Sequence, residues 1–244
     1  MTDSVRTERK GAAYAITLNR PEAANAVSDS MIVRLGDLLE TVDSSVRVIT
    51  IQGAGSDFCV GREPPPPGVP RKPMEALELR RAHDIVFRVY GLVRNARVPV
   101  IAVVRGRALG FGFALAAIAD ITVAADTATF QIPEFAHNIM PTMVMSALID
   151  RVPLKALIHR VYTAEAFGAD EALRIGAISD VKSASQLDGA IETLLERLLA
   201  APAPALLAVK EFARNAQAID INKAVEYARA LHAVINTSSE MRRT

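Results

Sequence analysis

At 244 residues, half of them hydrophobic, the chain is long enough to bury one large core as a single domain. Its 28 Lys and Arg nearly cancel 27 Asp and Glu, so no charge bias points to nucleic acid or to an anionic membrane surface. The lone cysteine, Cys59, excludes an internal disulfide and fits a reducing cytoplasm, the polar stretch 1–10 has no signal-peptide core, and no run of about 18 apolar residues predicts a membrane span.

The alternation over 14–18 predicts a strand, which Asn19 and Pro21 end. Ser28 predicts a helix N-cap, with Met31, Leu35, Leu38, Leu39 and Val42 at helical spacing after it. The β-branched run 46–52 predicts a buried strand that enters a loop at Gly53 and Gly55. Prolines at 64–67, 70 and 73 predict an extended segment, either a surface connection or a semi-rigid lid beside a site. A helix over 74–95 follows, with Leu77, Ile85, Val89 and Leu92 inward.

An apolar strand over 98–104 then runs into a turn containing Gly106, Gly110 and Gly112, and a small-residue helix over 113–119. Short strands at 121–124 and 129–131 precede helices over 143–152, 154–163 and 169–175 and a core-closing strand over 177–181. From 185 the pattern is helical, interrupted at 201–204. There Leu206, Val209, Phe212, Val225 and Tyr227 interleave with charges, as in an amphipathic tail packed on its own core or on a neighbouring subunit. The expected organisation is an α/β core over 1–184 and a helical region over 185–244.

Most familiar site signatures are absent. No Gly-Lys-Ser/Thr follows the glycine turn, its spacing fails the dinucleotide fingerprint, and there is no Gly-x-Ser-x-Gly elbow. His83, His137, His159 and His232 stand apart, without metal-ligand spacing. Two strand-to-turn segments remain, Cys59-Val60-Gly61-Arg62 and Gly110-Phe111-Gly112. Backbone N–H groups at such turns either hold a developing oxyanion or merely reflect glycines required by tight geometry. Glu134, after Pro133 and among Ile132, Phe135, Ile139 and Met140, reads either as a poorly solvated carboxyl suited to proton transfer or as an acid at a helix N-terminus. Asp120 and Asp126 read as structural and Cys59 as a packing residue.

Taken together these segments resemble the crotonase (enoyl-CoA hydratase/isomerase) superfamily over nearly the whole chain. Leu18-Asn19-Arg20-Pro21-Glu22 followed by Asn25-Ala26-Val27-Ser28 is similar to the family's opening signature. Asp57-Phe58-Cys59-Val60-Gly61-Arg62 resembles its first oxyanion loop, and the stretch 98–112 resembles its second. Phe130-Gln131-Ile132-Pro133-Glu134, seven residues before Pro141, resembles the segment that carries its downstream catalytic glutamate, and 163–178 resembles the helix-turn-strand beyond the site. The resemblance implies a spiral of ββα turns, C-terminal helices that mediate a homotrimer or hexamer, and an acyl-CoA thioester as substrate with no separate cofactor. It places the two N–H donors on Arg62 and Phe111, a catalytic carboxylate on Glu134, and substrate contacts on Val60, Gly61, Gly110, Gly112, His137 and Met140.

Departures from the family pattern set the expected chemistry. The upstream glutamate that family hydratases pair with the downstream one maps to Ala114, leaving one carboxylate. A one-base, enoyl-CoA isomerase-type proton shuttle is therefore expected. Enoyl-CoA hydratase is the alternative, and a non-catalytic scaffold binding CoA esters or RNA is a further one. The RNA version finds only a local basic cluster, Arg71, Lys72, Arg80 and Arg81. Phe111 replaces a usual glycine, Ala23 and Ala24 replace frequent basic residues, Glu63 stands for an aspartate, and Thr142-Met143 for a glycine pair. The Arg62 side chain either faces an acyl enolate or carboxylate, or points to solvent.

Overall fold

The computed structural model describes residues 3–64 and 73–242. Most of the proline run, with the lid reading attached to it, and Arg71 and Lys72 of the basic cluster lie outside the described residues. Two sheets are built from β1 (Val5–Lys10), β2 (Ala13–Leu18), β3 (Val48–Gly53), β4 (Val100–Val104), β5 (Arg107–Leu109), β6 (Ile121–Ala125), β7 (Thr129–Gln131), β8 (Phe167–Gly168) and β9 (Asp180–Lys182). The larger sheet has the order β1-β2-β3-β4-β6-β9, antiparallel only between β1 and β2, and the smaller has the order β5-β7-β8.

The helices are α1 (Asp29–Glu40), α2 (Ala76–Ala82), α3 (Asp84–Asn95), α4 (Phe111–Ala117), α5 (Thr142–Leu148), α6 (Leu154–Thr163), α7 (Ala169–Arg174), α8 (Leu187–Ala200), α9 (Ala203–Ala216) and α10 (Ile221–Asn236). The chain winds so that successive passes give one strand to each sheet and then a helix: β4, β5, α4, and next β6, β7, α5. In the preceding pass the second strand is reduced to a single parallel bridge, Cys59 to Ala108. This is the α/β spiral that the family resemblance implied.

Continuous apolar strands follow from burial on both faces. Along β4, Val100, Ala102 and Val104 enter the main core, while Ile101 and Val103 join a second cluster closed by Leu187 and Ile191 of α8. Ser28 caps α1 as its sequence suggests, its Oγ accepting from the Met31 N–H. The strand β1 escapes sequence reading because it is an edge strand with only Val5 buried, its remaining side chains charged or polar and exposed.

One expectation needs correcting. The helix over 74–95 breaks at His83 into α2 and α3, because the His83 N–H turns back to the Arg80 and Arg81 carbonyls. Leu77, expected inward, is 57 % exposed, whereas Val89 is buried and Ile85 and Leu92 pack half-buried against the core as expected, beside the buried Val86, Tyr90 and Val93. In the C-terminal region Val209 and Val225 face outward, Val209 being 70 % exposed, whereas Lys210 is buried. The Lys210 Nζ donates to the Val93 and Val98 carbonyls and to Asp120 Oδ2, which also accepts from the Val100 N–H. Burial pushes this lysine below its ordinary range, and Asp120 opposes that shift. This clamp ties α9 to the ends of α3 and β4. Lys210→Met is expected to lower stability by about 3 kcal/mol, because it strands a paired carboxylate and two carbonyls. Urea unfolding measures the loss, and an unchanged midpoint would show that the clamp contributes nothing.

Candidate active site

The first turn is held in place by backbone-directed polar contacts. Asn25, fully buried, donates from Nδ2 to the Ala54 and Asp57 carbonyls and accepts the Arg20 N–H at Oδ1. Asp57 then grips β5: Oδ1 accepts the Arg107 N–H at 2.9 Å and Nε at 2.8 Å, and Oδ2 accepts Nη2 at 2.9 Å. The Arg107 guanidinium holds the Asp57 carboxyl below the usual carboxylate range, against a smaller opposing effect of burial.

From that anchor the two turns run side by side. The Cys59 N–H donates to the Arg107 carbonyl at 3.0 Å, and the Leu109 N–H donates to the Cys59 carbonyl at 2.9 Å. The parallel bridge pairs Cys59 with Ala108, and Arg62 and Phe111 each follow three residues later on their turns. Gly112 allows this approach: a Cβ there would fall inside the van der Waals envelope of the Cys59 carbonyl oxygen. Among the described residues the Arg62 and Phe111 N–H groups have no acceptor, Phe111 being the first residue of α4.

The adjacent residues are also placed. The Val60 N–H donates to the Ala24 carbonyl, and the Gly61 carbonyl accepts from Val27. Gly110, at φ 50° and ψ −115°, donates its N–H to the Gln131 carbonyl at 3.0 Å. The Arg62 side chain is drawn to α1, donating to Asp29 Oδ1 at 2.7 Å, so its head group faces a surface acid rather than the turns.

Glu134 meets these turns from β7. It opens a one-turn 3-10 helix, Glu134–His137, and its carboxyl lies against Gly110, where an added Cβ would come within 2.5 Å of Oε1. Its Oε2 is buried with no hydrogen-bond partner among the described residues. Burial raises the Glu134 pKa above the ordinary glutamate range, while its own N–H and His137 pull it the other way. Glu134 thus sits at a helix start, half-buried, with one carboxyl oxygen closed off from solvent. The apolar shielding differs from expectation, since Phe135 and Met140 are 47 % and 67 % exposed and Phe135 packs edge-on against Tyr162. His137 is exposed, and among the described residues no hydrogen bond joins it to Glu134.

At position 114 the methyl of Ala114 is fully buried. A residue not anticipated from the sequence reaches the same region. Tyr90 of α3 is 4 % exposed and stacks on the Phe111 ring, with centroids 5.7 Å apart and planes at 21°. Its only sequence signal was its place in the apolar period of α3. Cys59 is buried and its thiol is pushed up to about 12 by burial, which suits packing and not nucleophilic work. Among the described residues no three His, Cys, Asp or Glu side chains gather as a metal site, and no helix is long and apolar enough to cross a membrane.

Two unspent N–H donors beside one desolvated carboxyl are the elements needed to stabilise an enolate oxygen while a proton moves on or off carbon. Comparison with known proteins agrees in outline. A sequence model described as enoyl-CoA hydratase/isomerase matches residues 8–243. A carnitinyl-CoA dehydratase of Escherichia coli is 31 % identical over 239 residues, covering 94 % of this chain and 87 % of the relative. The crystal structure of an enoyl-CoA hydratase from Mycobacterium smegmatis superposes with a TM-score of 0.91 at 27 % identity, covering 97 % of this chain and 92 % of the other. A Thermobifida fusca protein crystallised in complex with CoA superposes with a TM-score of 0.86 at 28 % identity, covering 95 % and 92 %.

Proposed function

The chain belongs to the enoyl-CoA hydratase/isomerase (crotonase) family, and from that premise we propose that it is an acyl-CoA enzyme working through a thioester enolate with Glu134 as its single carboxylate base. The N–H groups of Arg62 and Phe111 donate to the thioester oxygen between them, and Val60, Gly61, Gly110 and Gly112 form the walls that let the thioester approach. Each such donor is typically worth about 3–4 kcal/mol to an oxyanion. Coenzyme A enters as part of the substrate, and no separate cofactor takes part.

The favoured reaction is an enoyl-CoA isomerase-type shuttle. Glu134 removes a proton from the α-carbon of a 3-enoyl-CoA, the electron pair delocalises onto the thioester oxygen, and the same carboxyl returns the proton at the γ-carbon. One observation carries this reading: the desolvated Glu134 carboxyl lies against Gly110, beside the Phe111 N–H, while position 114 offers only a methyl. A carboxyl kept above its ordinary pKa is matched to taking and returning a proton. The rate is expected to fall as pH falls through that raised value, since only the deprotonated form is the base.

Hydration or dehydration of the acyl chain is the second reading, favoured by the reactions named for the Escherichia coli and Mycobacterium smegmatis relatives. Separate incubations with a short 3-enoyl-CoA and with its 2-enoyl isomer distinguish the two. Unchanged mass with the 3-enoyl double bond moved into conjugation is the expected result. Gain of one water by the 2-enoyl-CoA, with the 3-enoyl-CoA left unchanged, would replace it with hydratase chemistry, and no change in either would leave a binding scaffold. The outward Val209, Ile221, Val225 and Val234 of α9 and α10 support assembly into a homotrimer or a dimer of trimers.

A further inference from the structure

Among the described residues, one ionic contact joins the two turns that carry the Arg62 and Phe111 N–H groups. Asp57 stands two residues before Cys59 on the first turn, and Arg107 opens β5, which leads into the second. One carboxylate holds both the backbone and the side chain of Arg107. Its Oδ1 accepts the Arg107 N–H at 2.9 Å and Nε at 2.8 Å, and its Oδ2 accepts Nη2 at 2.9 Å. Ser56 Oγ donates a longer bond to Oδ2 at 3.3 Å. The backbone makes room for this grip: an added Cβ at Gly106 would fall inside the van der Waals envelope of the Ser56 carbonyl oxygen and within 2.9 Å of Asp57 Oδ1. From behind, the Asp57 carbonyl accepts the buried Asn25 Nδ2 at 2.7 Å.

We infer that Asp57 is a positioning residue for the oxyanion site, its clasp on Arg107 holding the two turns at the spacing at which the Arg62 and Phe111 N–H groups meet one thioester oxygen. The inference rests on the proposed reading of those groups as oxyanion donors. The remaining ties of this turn to β5 are backbone bonds made by Cys59, to the Arg107 carbonyl and from the Leu109 N–H. Bonds gathered on one residue act as a hinge. The clasp adds a second point of attachment two residues away, and two points fix an orientation that one leaves free. Its form suits that task. Exposed ion pairs contribute little, but the Asp57 side chain is only 10 % exposed, and a two-pronged guanidinium fork sets direction as well as distance. The guanidinium also keeps the Asp57 carboxyl below the ordinary carboxylate range, so the clasp stays charged on both sides at neutral pH.

Asp57→Asn keeps the shape of the side chain and sets an amide N–H against Arg107 Nη2, donor against donor. The readout is the infrared band of the thioester carbonyl in butanoyl-CoA, labelled with 13C at that carbon and bound to the protein. Hydrogen bonds from two aligned N–H donors polarise the carbonyl, so the wild-type band is expected to move to lower frequency on binding. In Asp57→Asn it is expected to return most of the way to its position in the free ester. The band belongs to bound ligand alone, so a variant that merely unfolds more readily loses intensity and not position. Arg107→Lys keeps the residue 107 N–H on Asp57 but replaces the fork with a point charge. Its band is expected between the two, and it decides the matter if Asp57→Asn does not fold. Asp37→Asn, which weakens the Arg88 contact between α1 and α3, should keep the wild-type band. In parallel, exchange of the α-protons of butanoyl-CoA with deuterated water is expected to slow about 100-fold in Asp57→Asn at little-changed KM, the scale of a 1 Å misplacement of a catalytic group. Clasp variants with a wild-type band, even with a raised KM, overturn the positioning role and leave the two donors in place. A wild-type band that does not move on binding overturns the oxyanion reading itself, and the role of Asp57 with it.

Discussion

Glu134→Gln is expected to lower turnover about 1,000-fold, within the range typical of a lost general base, while binding of an acyl-CoA changes by no more than a few-fold. The amide keeps the shape of the carboxyl and its fit beside Gly110, so the two N–H donors and the surrounding turns stay in place. It cannot accept a proton from carbon. The same substitution is expected to stabilise the fold. The buried Oε2 has no partner, and burial makes the charged form costly. The sign follows from proton counting. With the folded pKa above the unfolded one, the native state binds more protons in the window between them, so wild-type stability falls as pH rises through that window. Glutamine does not titrate. Its advantage in thermal unfolding should be absent below the ordinary glutamate range and grow as pH rises through the raised Glu134 value. Turnover equal to wild type would remove Glu134 from the chemistry. A stability difference independent of pH would show that desolvation of the carboxylate is not what the fold tolerates there.

Legibility of this architecture from sequence tracked how much of each element's patterning came from the core. The segments of β3 and β4 are apolar on both faces because each side meets another layer, and such runs are plain in any reading. The strand β1 is held by its ladder to β2 and buries one side chain, so its sequence carries charge alternation instead of an apolar signal. Likewise the three residues of β5 sit within a glycine-rich stretch that reads as a turn, and pairing with β7 and Cys59 makes them a strand. The break at His83 has no proline or glycine to announce it. In the tail, an amphipathic period told of a sticky face without telling which side would meet its own core: Lys210 goes in and Val209 stays out because Asp120 and two carbonyls await the ammonium.

The candidate site divides in the same way. Gly110, Gly112 and Glu134 were visible because a turn, a close approach and a carboxyl in an apolar setting each leave a residue-type mark. Asp57 and Asn25 fell inside recognised signatures, but their work is a matter of geometry: one aligns β5 and the other closes the loop, through bonds to atoms 29 to 50 residues away. Tyr90 left no mark at all. An aromatic at an apolar helical position reads as core, and only the folded chain brings its ring onto Phe111. Phe111 itself gains a physical account from that stack, since its ring has a buried partner instead of an open pocket to obstruct.

The second large effect is expected from Gly112→Ala. Most glycine-to-alanine changes within helices are favourable by about 0.5–1 kcal/mol, because alanine loses less backbone freedom on folding. Gly91 in α3 has nothing within 4 Å of an added Cβ and should follow that rule. Gly112 should not. Its Cβ would collide with the Cys59 carbonyl oxygen and would also meet Cys59 Cβ at 2.8 Å. That oxygen already accepts the Leu109 N–H, so it cannot retreat without loosening the bridge that joins the two turns at Cys59 and Ala108. Overpacking against backbone of this kind costs about 3 kcal/mol, a large share of the 5–15 kcal/mol that typically separates folded from unfolded chains. Moving α4 aside would also carry the Phe111 N–H out of line with its counterpart, and losing one oxyanion donor commonly lowers turnover about 100- to 1,000-fold. Folded Gly112→Ala protein should therefore show both a lower urea midpoint and a depressed rate, with Gly91→Ala as the matched control that is at least as stable as wild type and fully active. If Gly112→Ala unfolded earlier yet kept its rate, the closeness of the two turns would serve the core alone. If both variants behaved like wild type, the contact between α4 and Cys59 would have slack that its geometry does not provide.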